Sequence, residues 1–296
     1  MIAWFCASRS GINADLCGME TKKQYLSAPL PFVGQKRNFA KPFIKVLEQY
    51  PDGTTFVDLF GGSGLLSHIA KHQKPHSKVV YNDYDNYRQR LERIPETNEL
   101  LARLREIASG IPRRAPIKGD AREKVFAAIA EHEARYGWVD YISLSPSVLF
   151  SMKYKLSLED LKKEVLYNKI RTTDFAPACD YLDGLTVTSA DYREVFDQYK
   201  DEPYVVFLVD PPYLSTEAGT YKMYWKLSDY LDVLTVLKGR RFIYFTSNKS
   251  SIVELCRWLG QNQDLGNPFD GCHVVEFHAQ MNYSATYTDM MIYNAA

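Results

Sequence analysis

The chain has 296 residues, of which 46% are hydrophobic and 24% are charged, and such values exclude a fibrous or disordered protein. The 36 basic side chains equal the 36 acidic ones in number, so a polyanion must be bound by a local basic patch rather than by net charge. The five cysteines are scattered and form no C-x-x-C pair, which favours neither a disulfide framework nor a zinc site.

The beginning of the sequence lacks a regular hydrophobic pattern. Residues 1–28 mix polar and small side chains without a period, and we predict that they form an N-terminal leader or an appended cap. The longest apolar run there, 2–7, is too short for a membrane span and lacks the basic lead of a signal peptide. These features predict a cytoplasmic protein without membrane contact.

The next part of the chain alternates between helical and strand patterns. Apolar residues at helical spacing predict a helix over 39–50, which the Pro-Asp-Gly sequence at 51–53 ends. A strand over 54–60, a glycine turn, a helix from about Leu65 and a second strand over 78–81 follow. This β-loop-α-β order is typical of the start of a doubly wound α/β sheet.

The α/β alternation stops in the middle of the chain and then returns. Strand patterns resume at 185–188 and continue at 205–209 and 241–245. We therefore predict one sheet domain, built from 29–100 and 184–296, with an insertion over 101–183.

Basic side chains concentrate before and within this insertion. Residues 88–124 hold ten basic side chains against six acidic ones, and a second cluster follows where strand signals are weak. Some of this charge fits an ordinary solvated helix surface, and some is suited to contact phosphates. The candidates for phosphate contact in the second cluster are Lys153, Lys155, Lys162 and Lys163.

A glycine turn follows the first strand, in the sequence Asp58-Leu59-Phe60-Gly61-Gly62-Ser63-Gly64. Missing side chains allow a ligand to approach the backbone there, although plain strand-to-helix packing also uses such glycines. Asp83 lies 19 positions after Gly64, near the ~20-residue offset at which Rossmann-type folds place an acid on a ribose. The chain has no phosphate-cradling Gly-Lys-Ser/Thr ending, so a nucleoside ligand without a polyphosphate fits better.

A rare tetrapeptide, Asp210-Pro211-Pro212-Tyr213, ends the apolar run at 205–209. Two prolines remove two backbone donors and fix two φ angles, so the strand cannot continue past Asp210. This pattern predicts a rigid shelf at the end of a buried strand, although a plain strand-ending turn has the same backbone features.

The order of glycine turn, insertion and Asp-Pro-Pro-Tyr resembles the alpha-class, or Dam-like, DNA adenine methyltransferases, over about residues 30–294. Four further segments resemble those of the family: a methyl-donor segment at 31–37, an acid–aromatic pair at 189–192, the aromatic pair Tyr221-x-x-Tyr224, and a closing strand at 288–294. The chain departs from the family at Gln35, where a second glycine is common, and at Tyr221, where phenylalanine is common.

The resemblance implies a class I, Rossmann-like methyltransferase fold, S-adenosylmethionine as methyl donor, no metal, and adenine flipped out of double-stranded DNA as substrate. It also implies a restriction–modification or phage setting, with target recognition by 101–183. The implied donor contacts are Lys36, Asp58, Phe60, Gly61, Gly62, Gly64, Asp83, Asp191 and Tyr192. The implied catalytic residues are Asp210, Pro211, Pro212 and Tyr213, with Tyr221 and Tyr224 at the target base and Lys153, Lys155, Lys162 and Lys163 at the DNA.

The chemistry of adenine explains why such a shelf is needed. The lone pair of the exocyclic amine is delocalised into the ring, so the site must draw the amine toward tetrahedral geometry with hydrogen-bond acceptors. The Asp210 carboxylate and the Pro211 carbonyl are suited to accept the two amine hydrogens, while Tyr213 stacks on the ring. Positioning and electrostatics suffice for transfer from an activated donor.

Other interpretations remain for the same residues. An RNA adenine methyltransferase would use the same shelf, because the shelf does not contact the sugar. A catalytically silent nucleic-acid-binding module of this fold is a second alternative, against which the intact Asp210, Pro211 and Tyr213 argue. Asp191 also fits a helix N-cap, and Tyr221 and Tyr224 also fit one face of a packed helix.

Overall fold

The computed structural model describes residues 24–150, 154–212, 225–248, 250–261, 266–282 and 285–294. A 3₁₀ turn (Arg37–Phe39) precedes α1 (Ala40–Leu47), β1 (Thr55–Asp58), α2 (Leu65–Gln73) and β2 (Val79–Asn82). The connection that follows β2 holds α3 (Tyr87–Glu92), α4 (Ile94–Ile107), β3 (Pro116–Ile117), α5 (Gly119–Tyr136), α6 (Tyr141–Val148), α7 (Leu158–Lys162) and β4 (Leu166–Tyr167). The remaining elements are β5 (Thr186–Thr188), α8 (Tyr192–Tyr199), β6 (Val205–Val209), α9 (Leu227–Leu237), β7 (Arg241–Ser247), α10 (Ile252–Gly260), β8 (His273–Asn282) and β9 (Ala285–Tyr293).

The main sheet has seven strands within the described residues, in the order β5-β2-β1-β6-β7-β9-β8. The five strands from β5 to β7 are parallel, and β9 runs antiparallel to both β7 and β8. The predicted fold class, an α/β sheet of the Rossmann-like class I methyltransferase type, is confirmed. The strand order reverses between β1 and β6, which is where doubly wound sheets open a crevice at their carboxyl ends.

Strand β6 shows why the sheet can be recognised in the sequence. All five residues of Val205–Val209 are buried, because helices cover both faces of the sheet. Helices α1 and α2 pack on one face and α8, α9 and α10 on the other. A strand buried on both faces has a continuous apolar sequence rather than an alternating one, and the predicted strand at 205–209 is confirmed.

The connection between β2 and β5 is mainly helical and has its own hydrophobic core. Leu104 of α4, Val125 and Ile129 of α5 and Leu161 of α7 are each at most 1% exposed and belong to one cluster. Helix α4 extends across residue 101, where the predicted insertion begins. The role of 101–183 in target recognition stays a prediction.

The last residues of the predicted leader pack against the rest of the protein, whereas 1–23 lie outside the described residues. The Tyr25 hydroxyl donates a hydrogen bond of 3.0 Å to Asp180, and the Tyr25 N–H donates one of 3.0 Å to His68 Nε2. The Tyr25 ring also packs edge-on against His68 and Tyr181. In the described ranges, no helix combines the length and the apolar character that a membrane crossing requires.

Candidate active site

A cleft lies at the carboxyl ends of β1, β2, β5 and β6, where the strand order reverses. Its volume is about 750 Å³ when its open mouth is included. Its lining comes from six separate parts of the sequence. These are Phe32 and Val33, the glycine turn after β1, three residues at and just after the end of β2 (Asn82, Tyr84 and Asp85), the segment Ala190–Tyr192, the pair Asp210 and Pro212, and Trp225.

Asp210 and Lys36 form an ion pair at this cleft. The Lys36 Nζ lies 2.6 Å from the Asp210 Oδ2, and the two side chains are 8% and 18% exposed. Lys36 Nζ also donates a hydrogen bond of 2.8 Å to the Gly34 carbonyl, which fixes its direction. Burial raises the pKa of Asp210, while the adjacent Lys36 ammonium opposes that rise. The structure thus joins the predicted donor-site lysine to the predicted catalytic acid, 174 positions later.

Asp58 ends β1 beneath the glycine turn and is 1% exposed. Its Oδ2 accepts a hydrogen bond of 2.7 Å from the Ser67 hydroxyl, whereas its Oδ1 makes no well-formed hydrogen bond within the described residues. Burial raises the pKa of Asp58 to about 7, and the Asp210 carboxylate adds to that rise, while Ser67 and the Phe60 N–H oppose it. Asp58 is not among the described residues that line the cleft, so its contact with the donor stays a prediction.

The glycine turn is closely packed as well as accessible. A Cβ on Gly61 would lie 2.3 Å from ring carbons of Tyr81, so this position requires glycine for packing as well as for access. Gly64 has φ +71° and is the N-cap of α2, a conformation that residues with a side chain rarely adopt. Gly61 and Gly62 line the cleft, as the sequence predicts for a donor-binding turn.

The Asp83 carboxylate binds backbone N–H groups at the start of α3. Its carboxylate accepts hydrogen bonds from the Tyr81 hydroxyl at 3.0 Å, the Tyr87 N–H at 2.6 Å and the Arg88 N–H at 2.9 Å. Asp85, two residues later, lines the cleft. A donor contact by Asp83 stays a prediction, and Asp85 is the acid that the sequence pattern did not single out.

An aromatic wall borders the cleft and consists of Phe60, Tyr192 and Trp225. The Phe60 and Tyr192 ring centroids are 4.9 Å apart, and Tyr192 stacks on Trp225 at 5.8 Å with an interplanar angle of 24°. Phe60 and Tyr192 were predicted as donor contacts, whereas sequence reasoning missed Trp225. Its position directly after Tyr224, in an aromatic segment downstream of Asp-Pro-Pro-Tyr, is the signal that was available.

Asp191 lines the cleft and is also the N-cap of α8. Its carboxylate accepts hydrogen bonds of 2.9 Å from the Arg193 N–H and from two guanidinium nitrogens of the same residue. The hydrogen bonds from Arg193 lower the pKa of Asp191. The two interpretations of this residue are therefore compatible, because one side chain can cap a helix and border a ligand site.

Several predicted positions lie outside the described residues: Lys153, Tyr213, Tyr221 and Tyr224. The other three lysines predicted to contact DNA are each paired with an acid, Lys155 with Glu164 at 2.9 Å, Lys162 with Glu159 at 2.9 Å and Lys163 with Asp160 at 2.8 Å. Among the described residues, no three His, Cys, Asp or Glu side chains cluster in a way that could hold a metal ion.

The chain is similar to a known protein over nearly its whole length, and this similarity identifies its family. No protein-family model matches the chain. The "Putative methyltransferase" of Haemophilus influenzae (strain ATCC 51907 / DSM 11121 / KW20 / Rd) is 35% identical over 283 residues, covering 93% of this chain and 94% of that protein.

Two solved structures are similar at much lower identity. Precorrin-6y C5,15-methyltransferase from Geobacter metallireducens GS-15 has a TM-score of 0.34 at 10% identity and covers 88% of this chain and 89% of its own. An rRNA methylase from Streptococcus thermophilus has a TM-score of 0.31 at 13% identity and covers 86% and 95%. From the alignment with the Haemophilus protein, which extends over nearly the whole of both chains, we conclude that this chain belongs to the same family of methyltransferases, whose methyl donor is S-adenosylmethionine.

Proposed function

We propose that this protein methylates the exocyclic 6-amino group of adenine in DNA. The observation that carries the proposal is the position of Asp210, which follows the buried strand β6 and lines the cleft beside the aromatic wall. A carboxylate followed by two prolines supplies fixed hydrogen-bond acceptors, which methylation of an aromatic amine uses.

The amine needs acceptors that are held in place before it arrives. Asp210 is held by Lys36, which pairs with Oδ2, and we assign Oδ1 to one hydrogen of the amine. We assign the second hydrogen to the carbonyl of Pro211, since Pro212 has no N–H and cannot extend the pairing of β6. Two acceptors on one nitrogen favour the geometry in which its lone pair points at the donor.

Positive charge develops on the amine nitrogen during methyl transfer, and Asp210 is the residue to which we assign its stabilisation. As the nitrogen takes the methyl group from sulfur it becomes positive, and the adjacent Asp210 carboxylate stabilises that charge. One of the two amine protons is then released to solvent, which leaves a neutral methylated amine. The exclusion of water around the largely buried Lys36–Asp210 pair strengthens that stabilisation. Lys36 also offsets the cost of burying the Asp210 carboxylate before substrate binds.

The residues that would hold the donor are those of the glycine turn, the aromatic wall and the acids at the strand ends. S-adenosylmethionine supplies a methyl group on a sulfonium that is already activated toward nucleophiles. Phe60, Tyr192 and Trp225 present aromatic surface suited to a purine ring. Asp85 and Asp191 border the same cleft as hydrogen-bond acceptors.

A base inside a duplex cannot reach a cleft at the end of a sheet, so the proposal includes base flipping, at a cost of a few kcal/mol in lost stacking and pairing. A flipped adenine in RNA would be methylated by the same chemistry, so the experiment must distinguish DNA from RNA as the substrate. A restriction–modification or phage setting in the cytoplasm accords with this function.

The test uses the purified protein, S-adenosylmethionine labelled in its methyl group, and matched DNA and RNA duplexes of mixed sequence. We expect label in DNA that nuclease digestion and mass spectrometry identify as N6-methyladenine. Asp210→Asn is the matched control and should leave the DNA almost unlabelled. Label confined to RNA, or found on cytosine, would contradict the proposal.

A further inference from the structure

The ion pairs of the helical connection divide its basic side chains into two groups. On α7 and just beyond it, Lys162 and Lys163 pair with acids three residues earlier, and Lys155 pairs with Glu164. In each case a neighbouring carboxylate cancels the charge locally. Less unpaired positive charge therefore remains at these lysines, and their contact with DNA stays a prediction.

The second group lies on the small ribbon formed by β3 and β4. The two strands are antiparallel, with Pro116 opposite Tyr167 and Ile117 opposite Leu166. Ile117 and Leu166 are 1% and 0% exposed and face the core of the connection. Because successive side chains alternate between faces, Pro116 and Tyr167 belong to the outer face of the ribbon.

Five cations flank the two strands of the ribbon in the sequence, and we call them the ribbon surface: Arg113, Arg114, Lys118, Lys169 and Arg171. Lys118 follows β3 directly and is exposed, whereas Lys169 lies two residues past β4 and is half-buried. The Arg114 N–H donates a hydrogen bond of 2.7 Å to the Asn168 carbonyl, so the ribbon end holds this residue.

Three of the five cations of the ribbon surface donate hydrogen bonds to backbone carbonyls, which orient the side chains without neutralising their charge. Arg113 donates to the Ile170 carbonyl, Lys169 to the Leu149 carbonyl at 2.9 Å, and Arg171 to the Thr173 carbonyl at 3.2 Å. Carbonyl oxygens orient a cation while its full positive charge remains. None of the five forms an ion pair with an acidic side chain in the described part of the chain.

The acidic residues closest in sequence to the ribbon surface are paired with cations outside it. Asp120 pairs with Lys124 at 2.6 Å, and Asp174 pairs with Arg105 at 2.6 Å. Glu164 pairs with Lys155. A local excess of positive charge therefore remains at the ribbon, although the whole chain has a formal net charge of zero.

Aromatic side chains lie within this excess of charge. Phe150 is 48% exposed, and its ring packs edge-on against Tyr167 with centroids 4.3 Å apart. The Lys169 Nζ lies 5.4 Å from the centre of the Phe150 ring. Cations interleaved with exposed aromatic rings suit a partner that has both phosphates and flat apolar groups.

We infer that the ribbon surface binds the phosphate backbone of the DNA substrate, an inference that rests on the proposed function. Four exposed cations and the half-buried Lys169, none of them paired with a carboxylate among the described residues, complement a polyanion better than Lys155, Lys162 and Lys163 do. Binding through five phosphates gives a slope of log affinity against log salt near −4.5, at about 0.9 per phosphate.

The test compares two triple variants that each remove three positive charges. The ribbon variant is Arg114→Gln, Lys118→Gln and Arg171→Gln, and the matched control is Lys155→Gln, Lys162→Gln and Lys163→Gln. DNA binding by the full chain is measured by fluorescence anisotropy from 50 to 300 mM salt. We expect the ribbon variant to lose about 2.7 units of slope and the control to lose less than about one. An equal loss in both would overturn the inference.

Two further readouts separate charge from structure and separate this inference from the proposed function. Arg114→Lys with Arg171→Lys keeps the charges and should keep the slope, and thermal melting checks that each variant is folded. Wild-type protein that methylates adenine in DNA, with an unchanged slope in the ribbon variant, would refute the ribbon surface alone. Wild-type protein that binds DNA through the ribbon without methylating it would refute the proposed function alone.

Discussion

The cleft and the ribbon surface use charge in opposite ways. At and beneath the cleft, Lys36, Asp58 and Asp210 are largely buried, so their charges interact strongly, and burial raises the pKa of both aspartates. At the ribbon, the cations are mostly exposed, so each acts weakly and salt screens it. A single substitution should therefore have a large effect in the cleft, whereas effects at the ribbon should be small and additive.

The largest effect should come from Asp210→Asn. Asparagine keeps the size and one acceptor oxygen but lacks the negative charge that stabilises the amine as it is methylated. Turnover should fall by about two to three orders of magnitude, while donor and DNA affinities stay within a few-fold, because the lost interaction belongs to the transition state. Single-turnover kinetics with DNA in excess measure this split.

Asp191→Asn is the matched control, because it also removes a carboxylate that borders the cleft. Because Asp191 borders the cleft, we expect Asp191→Asn to change donor affinity. Because its oxygens bind Arg193, we expect turnover to stay near normal. Near-normal turnover of Asp210→Asn would leave Asp210 as no more than a rigid strand terminus.

The second effect concerns stability and pH. Burial raises the pKa of Asp58 from 3.8 to about 7, so the folded protein binds a proton that the unfolded chain has lost. Its contribution to the free energy of unfolding is complete below about pH 4 and is lost as the pH rises through 7. At about 1.4 kcal/mol per pKa unit, this rise of roughly three units corresponds to a loss of about 4–5 kcal/mol.

Asp58→Asn, which cannot ionise, should therefore lose less stability than the wild type between pH 5 and pH 8. Denaturant unfolding without donor at both pH values measures the difference. The lowered pKa of His68 acts with the opposite sign below about pH 6.5, but it is common to both proteins and cancels in the comparison. Parallel pH profiles would show that Asp58 stays ionised in the fold.

Local sequence signals predict some features of the cleft and the ribbon but not others. The strand at 205–209 and the strand-end residues Asp58 and Asp210 were predictable, because apolar runs and breakers are local signals. The Lys36–Asp210 pair joins residues 174 positions apart, and the register of Ile117 with Leu166 joins segments about fifty apart. Such pairings depend on tertiary packing, which no local period encodes.

The third effect tests the residue that sequence reasoning missed. Trp225 stacks with Tyr192 in the aromatic wall, so Trp225→Ala should remove stacking surface from the donor site. Calorimetry should show donor affinity weakened by about 1–3 kcal/mol, with a smaller loss in Trp225→Phe. Wild-type tryptophan fluorescence should also change on donor binding and respond less in Trp225→Ala. Unchanged affinity in both variants would remove Trp225 from the site.

The smallest effect separates two acids that are two residues apart. Asp83 accepts hydrogen bonds from the first N–H groups of α3, so Asp83→Ala should lower the free energy of unfolding by about 0.5–2 kcal/mol, as the loss of a helix cap does. Asp85 borders the cleft, and Asp85→Asn should weaken donor binding while leaving the unfolding free energy nearly constant. Urea titration and calorimetry on both variants give the two quantities. Weakened donor binding by Asp83→Ala at unchanged stability would show that this carboxylate acts on the ligand, as the sequence spacing predicts, rather than on the helix.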